Sequence, residues 1–251
     1  MHFFSALGPG LVVLLVLLLF VTPVIDLPMS RRLKADPRGE EKLRLYRWVL
    51  IYLWLMAAFS WVCRNGMGMR LLHAPGEALW LFGARWRTWG IAALVAVFFG
   101  LALKPGIDCL FRPRRVPAYT RAMQSLGWFL PHDAEQRRWF AWLSVTAGVC
   151  EEWILRGVVP HGLHARAGIS LTTALLVSSV LFGWNHLYQG WRAVGGTALI
   201  GFALGLVALL SGGLLLPMLL HCAMDLQIVI SFRPDELPRD SDLVRHGTAS
   251  R

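Results

Sequence analysis

The sequence predicts an all-α polytopic membrane protein: a bundle of about seven transmembrane helices with one short amphipathic helix at the interface. Hydrophobic residues make up 56% of the 251 residues and charged residues only 16%, whereas soluble domains carry roughly 25% charged residues. The mean hydropathy of the chain is +0.52. Apolar residues also cluster in runs of roughly 20, the length at which a helix crosses a bilayer. These observations exclude an ordinary soluble domain.

Seven apolar runs are predicted to be the spans. In chain order they cover residues 3–25, 47–62, 88–103, 140–159, 169–188, 194–210 and 213–230. The first run lacks a basic leading region and a small-residue cleavage site, so we interpret it as a retained span and not as a signal peptide. An odd number of spans places the two termini on opposite sides of the membrane.

The spans divide the chain into four regions. Residues 1–104 hold three spans, 105–138 a basic cytoplasmic loop, 139–231 a four-span core, and 232–251 a polar tail. Within the loop, residues 117–130 begin with Pro117 and place Arg121 among apolar residues, which predicts a short interfacial helix. A plain basic loop is the alternative. The tail carries Pro234 and Pro238 without periodicity, so we expect it to be disordered.

Charge predicts the orientation. Most of the 25 basic residues lie in the tail and in the connections after the first and third spans, which we therefore expect on the cytoplasmic side. The amino terminus is then outside and the carboxyl terminus cytoplasmic. We expect these basic residues to contact anionic lipids and not nucleic acid, because no nucleic-acid-binding motif accompanies the net charge of +10. The arginine-rich, Leu-, Ala-, Gly- and Trp-rich composition is typical of a GC-rich bacterial genome, so a bacterial inner membrane is expected.

The four cysteines do not form a CxxC pair and predict no disulfide framework. We interpret them as small buried hydrophobic residues. Cys150 and Cys222 adjoin polar residues of interest, so a ligand or nucleophile role stays open for these two.

Ionisable side chains inside three of the spans are the main functional signal. Each costs about 2.5–3.5 kcal/mol at the bilayer centre, so such residues are functional candidates. They are Glu151, Glu152 and Arg156 in the fourth span, His186, four residues after Phe182, in the fifth, and His221 and Asp225 in the seventh. At 1.5 Å per residue from the cytoplasmic face, Glu151 lies about 16 Å deep, His221 about 14 Å and His186 about 5–8 Å. The three clusters can therefore converge in the cytoplasmic half of the bundle.

The paired glutamates predict two different roles. Glu152 and Arg156 are four residues apart and share a helix face, so they can pair. Glu151 points about 100° away from Glu152 and is a candidate general base for water. The alternative is that all three charges form only a packing or capping network. For the histidines, the alternatives are an interfacial position for His186 and a bond to a main-chain carbonyl for His221.

The motifs Glu-Glu-x-x-x-Arg, Phe-x-x-x-His and His-x-x-x-Asp, in this order on three spans, resemble the CPBP family. This family comprises the type II CAAX prenyl proteases and bacteriocin-processing proteins and is also called Abi. The resemblance covers about residues 139–230 and makes this core the catalytic region. The first three spans resemble no family that we can name.

The resemblance implies specific roles. It assigns activation of the attacking water to Glu151 and His186 and the oxyanion site to His221 and Asp225. Glu152 and Arg156 become a supporting pair, and Phe182 belongs to the second motif. Type II prenyl proteases have asparagine at the position of Asp225, so this aspartate would either donate as a protonated acid or orient His221.

The expected function is an intramembrane endopeptidase of the glutamic type. Its partner would be a membrane-anchored protein or peptide, cleaved near that anchor or near its carboxyl terminus. No cofactor is favoured, because the resemblance implies a water activated by glutamate; zinc held by Glu151, His186 and His221 is the alternative. The competing functions are a non-catalytic immunity or scaffold protein of the same family and a proton-coupled transporter. The absence of an inverted repeat argues against the transporter.

Overall fold

The computed structural model describes residues 8–35, 40–64 and 85–234, which form eight helices and no β-strand. The helices are α1 Pro9–Ala35, α2 Glu40–Cys63, α3 Arg85–Phe111, α4 Val116–Ala122, α5 134–167, α6 Leu171–Asn185, α7 Trp191–Ser211 and α8 Leu215–Ser231. The predicted all-α class is therefore confirmed for the described part of the chain. Residues 3–7 of the first predicted span lie outside it.

Four of the described helices are long and apolar enough to cross a membrane, namely α1, α2, α3 and α7. Helices α6 and α8 are apolar but only 15 and 17 residues long. Helix α5 is not among these candidates, since Glu151, Glu152 and Arg156 interrupt its apolar sequence. The polytopic membrane class is thus confirmed, but the count of seven spans is not.

Polar capping residues set the first residues of α5 and α6, which differ from the starts that hydropathy predicts. The carboxylate of Asp133 accepts the Gln136 N–H at 2.8 Å, so α5 begins at Ala134 and not at the predicted residue 140. Ser170 caps α6 in the same way through the Thr173 N–H, at 3.1 Å. Hydropathy alone misses both starts because a capped first turn can be polar.

Helix α3 continues through Pro105 to Phe111, although the predicted span ended at residue 103 and the loop began at 105. The side chain of Gln227 on α8 explains the continuation. Its Oε1 accepts the Gly106 N–H at 3.0 Å, and its Nε2 donates to the Ala102 carbonyl at 3.0 Å. One amide thus serves both members of an i,i+4 main-chain pair next to the proline and ties α3 to α8.

The connection between α3 and α5 is only partly helical. Helix α4 has seven residues and is followed by a 3-10 turn at Gln124–Leu126 and then by turns. The predicted interfacial helix at residues 117–130 is therefore wrong in its second half. The buried ammonium of Lys42 on α2 fixes this second half, donating to the carbonyls of Gly127 at 3.2 Å and Leu130 at 2.7 Å.

The packed structure extends beyond α8. Phe232 is 2% exposed and belongs to a cluster with Leu130 and Phe140. The Arg233 N–H donates to Thr120 Oγ1 at 2.9 Å. The prediction of a disordered tail from residue 232 is therefore wrong for its first residues, because the Phe232 side chain is buried and the Arg233 main chain is hydrogen-bonded to α4. Residues 235–251 of the predicted tail lie outside the described residues.

Candidate active site

The predicted site residues come together between α5, α6 and α8. Glu151, Phe182, His186, His221 and Asp225 all line one cavity of about 210 Å³. A neighbouring cavity of about 90 Å³ also reaches Glu151 and His186, and residues of α1 and α2 form its other wall. The convergence predicted from depth alone is therefore present in the fold.

A glycine allows the approach of the two helices that carry most of the site. A Cβ at Gly148 on α5 would lie 2.8 Å from the nitrogen and 3.1 Å from the Cα of Cys222 on α8. Such distances are too short for any other residue, so the two backbones touch here. This contact brings Glu151 and Glu152, one turn further along α5, beside His221.

Glu152 is the anchor of the site. Its Oε1 lies 2.9 Å from Arg156 Nη1 and 2.8 Å from His221 Nδ1, and its side chain is 0% exposed. The pair with Arg156 was predicted from the spacing, whereas the bond to His221 was not. Since an ionised carboxylate only accepts, Nδ1 carries the proton and donates, which fixes the ring of His221.

Arg156 is held by three groups in the protein interior. Besides Glu152, its Nε donates to the Gly201 carbonyl at 3.3 Å, and its guanidinium lies 4.3 Å from the centroid of the Phe182 ring. A Cβ at Gly201 would lie 2.9 Å from Arg156 Nη2 and 2.8 Å from Phe182 Cδ1. Gly201 therefore makes room for the guanidinium, and it is the first glycine of a GxxxG sequence whose second, Gly205, packs on α6.

The free edge of His221 faces two further carboxylates. Its Nε2 lies 3.9 Å from Glu151 Oε2 and 3.7 Å from Asp225 Oδ2. Glu151 and Asp225 are 20% and 35% exposed, whereas Glu152 is fully buried, so only the first two are open to the cavity. The hydrogen bond that orients His221 thus comes from Glu152, not from Asp225 as one sequence interpretation had it.

His186 caps the carboxyl end of α6. Its Nδ1 lies 2.8 Å from the Phe182 carbonyl, which can only accept, so Nδ1 donates and Nε2 of the neutral ring is an acceptor. The Phe182 ring packs edge-on against both imidazoles, with centroid distances of 4.7 Å to His186 and 5.7 Å to His221. Phe182 therefore spaces the two histidines.

A π-helical turn at Trp153–Val158 follows Glu152 directly and was not predicted. The Ser178 hydroxyl donates to the Leu155 carbonyl, and His161 Nδ1 donates to the Gly157 carbonyl at 2.8 Å. These two side chains donate hydrogen bonds to main-chain carbonyls of the π-helical turn. Such turns occur often at functional sites, but they have no periodic signature in a sequence.

The other side-chain predictions concern thiols and metal. All four cysteines are free, and the Cys222 thiol donates to the Val145 carbonyl at 3.6 Å. Glu151, His186 and His221 line one cavity, although the described residues contain no group of three or more His, Cys, Asp or Glu spaced to hold a metal ion. The predicted metal independence, with zinc as its alternative, stays a prediction.

Residues 134–227 match the family model described as Type II CAAX prenyl endopeptidase Rce1-like. No curated protein and no solved structure matches the chain. The matched segment runs from the start of α5 into α8 and contains all three motifs, so the resemblance seen in the sequence is confirmed there. The matched segment is thus similar to a protease-type family, and the apolar helices are those of a membrane protein, while α1, α2 and α3 lie outside the matched segment.

Proposed function

From this family match, we propose that the chain is an intramembrane endopeptidase of the glutamic type. It would hydrolyse a peptide bond near the membrane anchor or the carboxyl terminus of a protein or peptide. One observation carries the proposal: the Glu151 carboxylate is open to a cavity and lies 3.9 Å from His221, whose other nitrogen is held by buried Glu152.

The proposed first step is attack by water. The Glu151 carboxylate takes a proton as the water oxygen bonds to the scissile carbonyl carbon, and Nε2 of His186 accepts a hydrogen bond from the same water. The carbonyl oxygen becomes an oxyanion. When the C–N bond breaks, the protonated Glu151 gives its proton to the leaving amine, so atoms and charge balance.

The proposed oxyanion donor is His221. Because Nδ1 already donates to Glu152, a proton on Nε2 makes the ring of His221 an imidazolium, and this second N–H points into the cavity where Glu151 also lies. Donors of this kind are worth about 2.7–4 kcal/mol in the barrier, because they act in a site shielded from bulk water. Asp225, 3.7 Å from the same nitrogen, would assist as a second donor or by stabilising the charged ring.

A groove between α1 and α2 is the observation that favours a substrate anchored in the membrane. The groove has a volume of about 360 Å³ and a mostly apolar lining that includes Trp48, Ile51 and Leu55. It shares Thr22 and Tyr52 with the 90 Å³ cavity that reaches Glu151. An apolar segment in the groove would therefore end beside the proposed base.

We propose that the reaction needs no metal and takes place in a bacterial inner membrane, with the amino terminus outside. Purified protein should cleave its substrate in strong chelators as fast as without them. Loss of activity that zinc restores would contradict metal independence. Labelling of single cysteines placed in the loop at residues 112–115 should succeed only from the cytoplasmic side.

The direct test compares substrate size in cells that carry the wild type, Glu151→Gln or Glu135→Gln. Glu135 is a matched control because it lies on the same helix, is half exposed and forms a surface ion pair with Arg47 at 3.6 Å. The proposal predicts an unprocessed substrate only with Glu151→Gln. Normal processing by this variant would contradict the proposed function.

A further inference from the structure

Asn185, the last residue of α6, has a polar atom that the proposed mechanism does not use. Its Nδ2 donates to the Leu181 carbonyl at 2.8 Å. Its Oδ1 is buried and accepts no hydrogen bond from the residues that the structure describes. Buried acceptors without a donor are rare in folded proteins, because they lose their bond to water.

Chemistry fixes the orientation of this amide. A carbonyl oxygen can only accept, so the atom facing Leu181 must be the nitrogen and Oδ1 must point the other way. Asn185 lines the 90 Å³ cavity together with Glu151 and His186. Because Asn185 borders this cavity, a donor on a group bound there is a candidate partner for the buried Oδ1.

The cavity offers acceptors that need matching donors. They are the Glu151 carboxylate, Nε2 of His186 and Oδ1 of Asn185. The hydroxyls of Thr22 and Ser30, which also line it, already donate to main-chain carbonyls of α1, at 3.2 and 2.8 Å. A water molecule has two O–H donors, which Glu151 and His186 take in the proposed mechanism. The third acceptor, Asn185 Oδ1, can then take a donor from the substrate.

We propose that Asn185 Oδ1 accepts a main-chain N–H of the substrate next to the scissile bond and so positions the peptide. The inference rests on the proposed endopeptidase function. It makes Asn185 a substrate-binding residue that recognises an extended peptide main chain and not a particular side chain. Its loss should therefore raise KM more than it lowers kcat.

The test uses an acylated synthetic peptide that copies the cleavage site found by comparing wild type with Glu151→Gln. In a series of analogues, an ester oxygen replaces one main-chain N–H at a time, outside the scissile bond. Wild type, Asn185→Leu and Asn185→Ala are compared in detergent, with thermal unfolding as the check on folding. In the wild type, one ester position should raise KM about five- to tenfold, as expected for one lost hydrogen bond.

The decisive readout is the coupling between residue and analogue. In both Asn185 variants, KM for the parent peptide should rise about five- to tenfold, and the same ester substitution should raise KM no further. An ester penalty of equal size in wild type and variants at every position would overturn the inference. Cleavage by Glu151→Gln would instead overturn the endopeptidase function, so the two failures are distinguishable.

Discussion

The site and the elements that cover it hold their polar side chains by different means. Between α5 and α8, charged groups hold one another, as Glu152 does with Arg156 at 2.9 Å and with His221 at 2.8 Å. Between α2 and the loop that follows α4, the partners are main-chain carbonyls, as for Lys42 with Gly127 and Leu130. The charged network sets the chemistry of His221, while the carbonyl contacts shape the wall of the cavity.

The largest effect is expected for Glu152→Gln. A neutral amide leaves the buried Arg156 without a counter-charge and changes the bond to His221, which should cost about 3–5 kcal/mol of stability and abolish cleavage. Glu151→Gln should abolish cleavage with little change in stability, because Glu151 lies at the open side of the cavity. Thermal unfolding and peptide cleavage by both purified variants check this contrast; equal stability of the two variants would show that Glu152 is not the anchor.

A smaller effect is expected for Lys42→Met. The methionine fills most of the buried space but leaves the carbonyls of Gly127 and Leu130 without their donor, at a cost of about 1–3 kcal/mol. Because the loop forms part of the cavity wall through Phe129, KM should rise while kcat changes less. Steady-state kinetics and thermal unfolding provide the measurement. A fall in kcat as complete as that of Glu152→Gln would show that the Lys42 contacts do more than shape the wall of the cavity.

Gln227→Leu should weaken the fold without touching the site. It removes both bonds to Gly106 and Ala102, and we expect a loss of about 1–2 kcal/mol with an unchanged kcat. Gln136→Leu is the matched control, since it also removes a buried amide, whose Oε1 accepts the His132 N–H at 2.9 Å, but does not affect α3. Thermal unfolding that leaves Gln227→Leu as stable as the wild type would show that α3 does not depend on this amide.

The smallest effect is expected for Asp225→Asn. Because Glu152 already orients His221, Asp225 is left with two roles: an asparagine amide can replace it as a donor to the oxyanion, although it cannot stabilise the charged ring of His221. Cleavage should stay within about tenfold of wild type. A loss comparable with that of Glu151→Gln would restore the orienting role to Asp225.

Local spacing predicted much of the site, and contacts between distant segments explain what it missed. The Glu152–Arg156 pair follows from an i,i+4 spacing, whereas the Glu152–His221 bond joins residues 69 apart and depends on the close contact at Gly148. The continuation of α3 was missed because its support comes from Gln227 on another helix. Asn185 was missed because an isolated asparagine beside a histidine has no distinguishing pattern in a sequence. What marks it in the fold is a buried Oδ1 that accepts no hydrogen bond from the described residues.

The most direct test of the account is the cleavage rate of Glu151→Gln, reconstituted in liposomes with the peptide that the wild type cleaves. Glu135→Gln, treated in the same way, controls for the loss of one carboxylate from α5. The account predicts a rate at least about 10³-fold below wild type for Glu151→Gln, with folding intact, and a normal rate for the control. Cleavage by Glu151→Gln at a rate near that of the wild type would contradict it.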